Sequence, residues 1–225
     1  MQNETSLKHK STESETPLQP KRVNRKAATL KLCEFALLAA VEVVMSLTPL
    51  GFLDLGFLSA SLLTIPVAVG AILLGTWAST LLGLIFGVIS FIKGFSSAAP
   101  MTVAMYAASI PGSFIVAVVG RVLMGLCTGL LVLAAQRILG KKSIVDNIVG
   151  SLAAPLLNTA FFMGLLMLLF YHTPYVQGII ETTGVSHPIL LIGVMVGTQA
   201  LIEAAACGVI ATAVSKALQT ALHRE

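Results

Sequence analysis

The chain has 225 residues, of which 56% are hydrophobic and only 11% are charged, and its mean hydropathy is +0.92. This balance excludes an ordinary soluble domain and predicts an all-α protein that crosses a membrane several times. The net charge of +4 does not indicate a nucleic-acid-binding protein, because most basic residues lie near the two ends and in one internal gap. Cys33, Cys127 and Cys207 fall in separate apolar runs, so neither a disulfide framework nor a metal site is predicted.

The chain begins with a polar segment rich in Ser, Thr, Glu and Lys. Residues 1–28 hold too few apolar side chains to build a core, so we expect a disordered, basic cytoplasmic tail. Its basic end is expected to rest on anionic lipid headgroups. Residues 29–218 are predicted to form one six-helix transmembrane domain that binds a substrate, and residues 219–225 a cytoplasmic C-terminal end.

The first predicted helix runs from about Ala28 to Leu47 and stops before Pro49, which disfavours a helical residue at the position preceding it. Glu34 lies near the cytoplasmic end of this helix and can extend its carboxylate to the interface. The loop that follows, from Leu50 to Leu63, alternates small or polar residues with apolar ones. It is expected to form a lid of short strands or turns.

The run from Leu55 to Ile92 contains no charged residue. Because a helix needs about 20 apolar residues to cross a hydrocarbon core of roughly 30 Å, this run predicts two short crossings, helices 2 and 3. The glycine in the segment Gly75 to Ala78 is expected to turn the chain between them. Gly83 and Gly87, four residues apart in helix 3, predict a close approach to another helix.

Three further helices are predicted after this hairpin: helix 4 from Pro111 to Leu139, helix 5 from Asn147 to Tyr171, and helix 6 from Pro188 to Leu218. External loops are expected at Lys93 to Ala108 and at His172 to Ser186. The basic residues cluster in the N-terminal tail, in the gap between helices 4 and 5, and at the C-terminal end, so the positive-inside rule places both termini in the cytoplasm. We therefore expect a multi-pass cell-membrane protein with six transmembrane helices.

Charged side chains at bilayer depth are costly, on the order of 3 kcal/mol each on insertion scales, and each requires a partner or a purpose. Glu42, Arg121 and Glu203 lie near the middles of helices 1, 4 and 6. One interpretation is a buried ion pair between Arg121 and either glutamate. The other is that Arg121 faces a cavity and neutralises an anionic ligand while Glu203 holds its orientation.

Uncharged polar residues raise a similar pair of alternatives. Asn158 and Thr159 lie in helix 5, and Gln199 shares a face of helix 6 with Glu203, one turn away. These side chains either join helices to one another or line a polar cavity that recognises hydroxyl, amide or carboxylate groups. Lys93 is the only external lysine, and it is either a cation of the lid or an interfacial anchor.

No sequence feature supports catalysis, and no cofactor is expected. Gly125 to Gly129 imitates a nucleophile elbow, but it lies inside a continuous apolar helix without the strand-turn-helix context that exposes a nucleophile.

The arrangement resembles the substrate-binding S component of energy-coupling factor (ECF) vitamin transporters. The residues that carry the resemblance are Ala36–Ala40, Ile65–Val67 with Gly75, Gly83–Gly87, Leu157–Thr159 with Gly164, and Ile202–Ala204. The resemblance implies an S-component fold that binds a vitamin without ATP. It also implies three partners, a transmembrane coupling protein and two cytoplasmic ATPases, and a receptor that reorients in the lipid bilayer.

The resemblance also implies where substrate and partner bind. Ala36 and Ala40 match the small-residue signature that contacts the coupling protein, and the ligand is expected near the outer side under the external loops. The expected substrate-binding residues are Lys93, Tyr106, Arg121, Asn158, Thr159, Gln199 and Glu203.

The sequence looks most similar to the pantothenate-specific branch of that family. Aromatic residues make up only 6%, which disfavours a stacked ring cage for flavin or thiamine, whereas Arg121 or Lys93 with Asn158 and Gln199 suits a small anionic ligand. Gln199 stands where relatives often have asparagine, so ligand identity stays open. The alternatives are another small vitamin or precursor, such as riboflavin, hydroxymethylpyrimidine or niacin, and a membrane scaffold subunit without a transport role.

Overall fold

The computed structural model describes residues 25–48, 51–54, 59–139, 144–185 and 187–221. Within these ranges, the side chains of residues 25–27, 52–54, 59–60, 139, 188–189, 194–196 and 198–199 are outside the description. Most of the predicted cytoplasmic tail and the last residues of the C-terminal end therefore lie outside the described residues.

The described chain is helical apart from one short hairpin. Its elements in order are α1 (Arg25–Leu47), β1 (Phe52–Asp54), β2 (Ser59–Ser61), α2 (Thr64–Leu73), α3 (Thr76–Gly94), α4 (Pro100–Ala108), α5 (Ile110–Phe114), a π-helical turn (Ile115–Val119), α6 (Gly120–Leu139), α7 (Ile144–Phe170), α8 (Pro174–Thr183) and α9 (Pro188–Ala221). The two strands pair in an antiparallel register, with Leu53 opposite Ala60.

Four segments of the described chain are long and apolar enough to cross a membrane. They are Thr76–Gly94, Ile110–Ile138, Ile144–Phe170 and Ala200–Ala221. The apolar helix α2 has 10 residues and spans only about 15 Å at 1.5 Å per residue. Neither α1 nor α2 is among the four segments, so the predicted crossings by helices 1 and 2 remain predictions, as does the orientation of the two ends.

Two segments that the sequence predicted as loops contain helices. α4 begins at Pro100 and α8 at Pro174, and proline fits a first helical turn because its missing N–H would have no partner there. α8 ends at Gly184, whose φ of 68° is the left-handed conformation that commonly terminates helices. The predicted helix 4, from Pro111 to Leu139, has nearly the expected bounds but is less regular, because it consists of α5, the π-helical turn and α6.

The hairpin of α2 and α3 turns where the sequence predicted. Gly75 lies between the two helices with a φ of 91°, a conformation that favours glycine. α3 then packs very closely against α6. A Cβ atom on Gly87 would lie 2.8 Å from the Cα atom of Val118, and one on Gly125 would lie 2.2 Å from the carbonyl oxygen of Ser79. The close approach predicted from the glycine spacing is therefore confirmed, and Gly125 belongs to the same contact.

Buried apolar side chains form two main clusters. The bundle core consists of Leu63, Ile65, Val67, Ala68, Val69, Leu82, Phe86, Met124, Ala154, Cys207 and Ala211. The methionine cluster consists of Met101, Met105, Val116, Met163, Leu166, Met167, Phe170, Val176 and Leu191. Helices α6, α7 and α9 pass from one cluster to the other, with the π-helical turn continuing α6, so residues between the two levels are enclosed from both sides.

Candidate functional site

Three buried polar side chains lie in one layer between the two apolar clusters. Arg121, Asn158 and Glu203 are 6%, 8% and 3% exposed, and they belong to α6, α7 and α9. On each helix the polar residue lies about one turn from a member of the bundle core, on the side toward the methionine cluster. Arg121 is near Met124, Asn158 is near Ala154, and Glu203 is near Cys207. We call these three polar residues the polar layer.

Contacts between helices support this common level. An added Cβ atom on Gly120 would lie 3.9 Å from the backbone of Phe161, which brings the start of α6 next to the turn of α7 that contains Asn158. α7 and α9 are antiparallel, because Ser151 bonds to Thr212 while Asn147 bonds to Gln219. Continuing that register by two turns brings Asn158 level with the turn of α9 around Glu203.

The guanidinium group of Arg121 lies between two phenyl rings. Its Cζ atom is 4.8 Å from the ring centroid of Phe86 and 5.0 Å from that of Phe162, both within cation–π range. Nη1 donates to the carbonyl oxygens of Val116 at 3.4 Å and Ala117 at 3.1 Å, which belong to the π-helical turn. Nε is buried and has no hydrogen-bond partner among the described residues. The Nε–H edge is therefore a buried donor in a cationic group.

Glu203 is attached to the β-hairpin. Its carboxylate accepts a hydrogen bond from the backbone N–H of Ser61, while its Oε1 atom has no partner in the described part of the chain. Ser61 in turn donates through Oγ to the carbonyl oxygen of Gly51 at 3.5 Å, so the hairpin links α9 to the end of α1.

The structure also separates the two glutamates that could have met Arg121. Glu203 attracts Arg121 electrostatically. Both carboxylate oxygens of Glu42 lack a hydrogen-bond partner among the described residues, so no hydrogen-bonded pair between Arg121 and Glu42 is present there. The hydrogen bonds of Arg121 itself go to main-chain carbonyl oxygens, and this arrangement leaves part of its charge for another acceptor.

Amides on α7 occur in two different states. Asn147 and Gln219 exchange two hydrogen bonds of 3.1 Å across the α7–α9 contact, so this pair joins helices to one another. Asn158 is equally well buried, but its Oδ1 atom has no partner in the described residues. Thr159 beside it is half-buried. Gln199 lies in α9 one turn before Glu203, and its side chain is outside the description.

Lys93 and Tyr106 lie around the end of α3 instead of in the polar layer. Lys93 donates from Nζ to the carbonyl oxygen of Ser46 and so ties α3 to the end of α1. The hydroxyl of Tyr106 donates to the carbonyl oxygen of Phe91 at 2.7 Å, and the two rings stack. Burial raises the pKa of Tyr106, and the positive charge of Arg121 opposes that shift. Tyr106 thus contacts the methionine cluster and experiences the charge of the polar layer.

The two alanines predicted to meet a partner are exposed. Ala36 and Ala40 lie on α1 beside large exposed apolar residues such as Leu37 and Val44, which are 62% and 61% exposed. This side of α1 therefore presents an apolar surface with small residues one turn apart.

Sequence reasoning missed the two phenyl rings and the hairpin contact. Phe86 sits between Gly83 and Gly87, and the small-residue spacing there could have indicated a neighbour of the close helix contact. Phe162 and Ser61 carry no local signal, because each reaches the polar layer through long-range packing. No group of three or more His, Cys, Asp or Glu side chains that could hold a metal ion occurs within the described residues.

The sequence matches a family model described as ECF transporter, substrate-specific component, over residues 30–215. A comparison with curated proteins found no match.

Proposed function

Since this match covers most of the chain, the protein belongs to the family of substrate-specific components of ECF transporters, and we propose that it is a high-affinity vitamin-binding subunit of an ECF importer. One observation carries the proposal. Three polar side chains from three helices occupy one buried level, and each has an atom without a hydrogen-bond partner among the described residues. Unpartnered buried polar atoms cost about 1–3 kcal/mol each, so a layer of them indicates a ligand that completes their bonds.

The positive charge of Arg121 favours an anionic substrate. Two carbonyl oxygens hold one edge of the Arg121 guanidinium, and two phenyl rings cover its faces, so its orientation is fixed before a ligand arrives. A planar guanidinium can pair with a carboxylate through two parallel N–H···O bonds. We propose that Arg121 binds the substrate carboxylate through its Nε–H edge.

The other two members of the layer suit hydroxyl and amide groups. The Oδ1 atom of Asn158 and the Oε1 atom of Glu203 are acceptors without partners in the described chain. A ligand that combines one carboxylate with hydroxyl and N–H donors would satisfy all three residues. Pantothenate has this composition, and we propose it as the substrate, with Thr159, Gln199, Tyr106 and Lys93 as further contacts from the same helices and from the end of α3.

The aromatic residues favour this choice over a flavin. Phe86 and Phe162 each present one ring face to the Arg121 guanidinium, so a planar heterocycle cannot stack on those two faces. Riboflavin, hydroxymethylpyrimidine and niacin are the alternative ligands, and a binding screen separates them from pantothenate.

The exposed surface supports partners in the membrane. We propose that Ala36 and Ala40 contact the transmembrane coupling protein, because small residues one turn apart let two helices approach closely in lipid. Two cytoplasmic ATPase subunits would hydrolyse ATP, and the whole receptor would reorient to deliver its substrate. In this proposal six helices cross the cell membrane and both termini lie in the cytoplasm.

A binding screen with radiolabelled vitamins on the purified chain tests the function. We expect saturable binding of one vitamin without ATP, and uptake into vesicles only when the coupling protein and both ATPases are present. Absence of binding by every water-soluble vitamin, with the chain folded, would contradict the proposal. A scaffold subunit would give that result, and its polar residues would then act as Asn147 and Gln219 do.

A further inference from the structure

The two most deeply buried side chains of helix α1 are polar. From residue 28 to residue 48 the only buried side chains are Glu42, which is 0% exposed, and Ser46, which is 2% exposed. The neighbouring Val41, Val43 and Val44 are 42%, 42% and 61% exposed. Exposed apolar residues are ordinary on a helix that faces lipid, whereas a buried carboxyl group is costly and requires a partner or a purpose.

The two buried residues of α1 differ in how their polar atoms are satisfied. The hydroxyl of Ser46 donates to the carbonyl oxygen of Val43 at 2.6 Å, and the carbonyl oxygen of Ser46 accepts from Lys93. Glu42 has neither kind of bond, since both of its carboxylate oxygens are buried without a partner among the described residues. The carboxyl group is therefore unexplained by the fold alone.

The neighbours of Glu42 place it on the face of α1 that packs against the bundle. Leu38 and Met45, one turn to either side of Glu42 on the same face, pack against the bundle core. The turn after Met45 leads to Gly51, whose carbonyl oxygen accepts from Ser61, and the backbone N–H of Ser61 donates to Glu203. The hairpin is therefore bonded both to the residue range just after α1, which carries Glu42, and to Glu203 on α9.

We propose that Glu42 is a substrate-contacting and specificity-determining residue, which hydrogen-bonds the hydroxyl or amide N–H groups at the end of the substrate remote from its carboxylate. This inference rests on the proposed function and narrows its substrate class. The ligand is a small carboxylic acid whose far end carries hydrogen-bond donors, and Arg121 and Glu42 bind its two ends. A carboxyl group in this place also rejects analogues that lack the donors, because they would leave it unpaired.

The test changes the side chain at position 42 and the hydroxyl groups of the ligand, separately and together, and compares the affinities. Affinities of the full-length wild-type protein, Glu42→Gln and Glu42→Leu are measured by calorimetry for pantothenate and for its analogue with both hydroxyl groups replaced by hydrogen. Glu34→Gln is the matched control, since it makes the same chemical change on the same helix at a half-buried position. Thermal unfolding of each ligand-free variant reports any purely structural effect.

We expect the wild-type protein to bind the dehydroxylated analogue about tenfold or more weakly than pantothenate. Glu42→Leu should bind pantothenate about tenfold or more weakly than wild type and should discriminate less between the two ligands than wild type does. Glu42→Gln keeps the shape and one acceptor, so its loss should be smaller, and Glu34→Gln should match wild type. The ligand-free Glu42→Leu variant should unfold no earlier than wild type, because it removes an unpartnered buried carboxyl group.

Two results would overturn the inference and are distinguishable. Unchanged affinity and unchanged discrimination in both Glu42 variants, with normal binding by wild type, would show that Glu42 does not touch the substrate while the transport function stands. Absence of binding by wild type to every vitamin in the screen would remove the proposed function and this inference with it.

Discussion

A methyl group placed on Gly83 would lie 2.4 Å from the carbonyl oxygen of Arg121, a distance that real Cβ atoms do not adopt. The absence of a side chain on α3 therefore fixes how deeply α6 sits at the turn that carries the guanidinium. Phe86, one turn further along α3, contacts that guanidinium from the same helix. The close contact of α3 and α6 thus positions the cation of the polar layer.

Replacing Gly83 by alanine should disturb this contact. We expect Gly83→Ala to lower the free energy of unfolding by about 1–3 kcal/mol, as overpacking does, and to weaken vitamin binding because Arg121 is displaced. Thermal unfolding and calorimetry check the two effects. Gly164→Ala is the control, because a Cβ atom there meets nothing within 4 Å and alanine favours a helix. If both variants unfold like wild type, the predicted close packing of α3 against α6 at Gly83 is contradicted.

Removing the charge of Arg121 should abolish most binding. Arg121→Met leaves the substrate carboxylate buried without a partner, and we expect a loss of about 2–5 kcal/mol in binding free energy. Arg121→Lys keeps the charge but not the planar, two-bond geometry, so its affinity should be intermediate. Titration of labelled vitamin measures both. Arg137→Gln, an exposed change on the same helix, should bind normally. Equal affinities in all three variants would exclude Arg121 from the site.

The two amides of α7 should respond in opposite ways. Asn158→Ala removes an amide whose Oδ1 atom has no partner among the described residues, so stability should change little while affinity falls about tenfold. Asn147→Ala removes the hydrogen bonds to Gln219, so it should lower the unfolding free energy by about 1–3 kcal/mol and leave affinity unchanged. The reverse pattern, with Asn158 affecting only stability, would support a scaffold role for the polar layer.

Larger side chains on the small-residue face of α1 should separate binding from transport. Ala36→Leu and Ala40→Leu are expected to leave vitamin binding by the isolated chain intact, because both positions are exposed. They should strongly reduce co-purification with the coupling protein and ATPases, since bulk there prevents close helix contact. Ala205→Leu, an equivalent change at an exposed position of α9, is the control. Normal assembly of both α1 variants would place the partner surface elsewhere.

Local patterns in the sequence predicted the features that depend on neighbouring residues. The turn at Gly75 and the close contact at Gly83 and Gly87 follow from backbone conformation and from residue size, and both are found in the structure. α8 also had local signals, Pro174 at its start and Gly184 at its end, but its glycine and polar residues favoured a loop prediction. The π-helical turn could not be predicted, because the Arg121 side chain satisfies two of its carbonyl groups from outside the turn.

The candidate site was only partly predictable for a physical reason. The sequence identified Arg121, Asn158 and Glu203 from the cost of placing polar groups in an apolar helix, and the structure brings these three to one level. It offered no means to choose between Glu42 and Glu203 as the partner of Arg121. Which glutamate lies near Arg121 depends on the hairpin, because the backbone N–H of Ser61 donates to Glu203, a residue far away in the sequence. Long-range packing of this kind leaves no periodic signal in the sequence.

The most direct test of the account is an experimentally determined density map of the chain with its vitamin bound. We predict ligand density between the bundle core and the methionine cluster, with the carboxylate on Arg121 and polar groups against Asn158 and Glu203. Density for the ligand elsewhere, with those three side chains enclosed in contacts to one another, would contradict it.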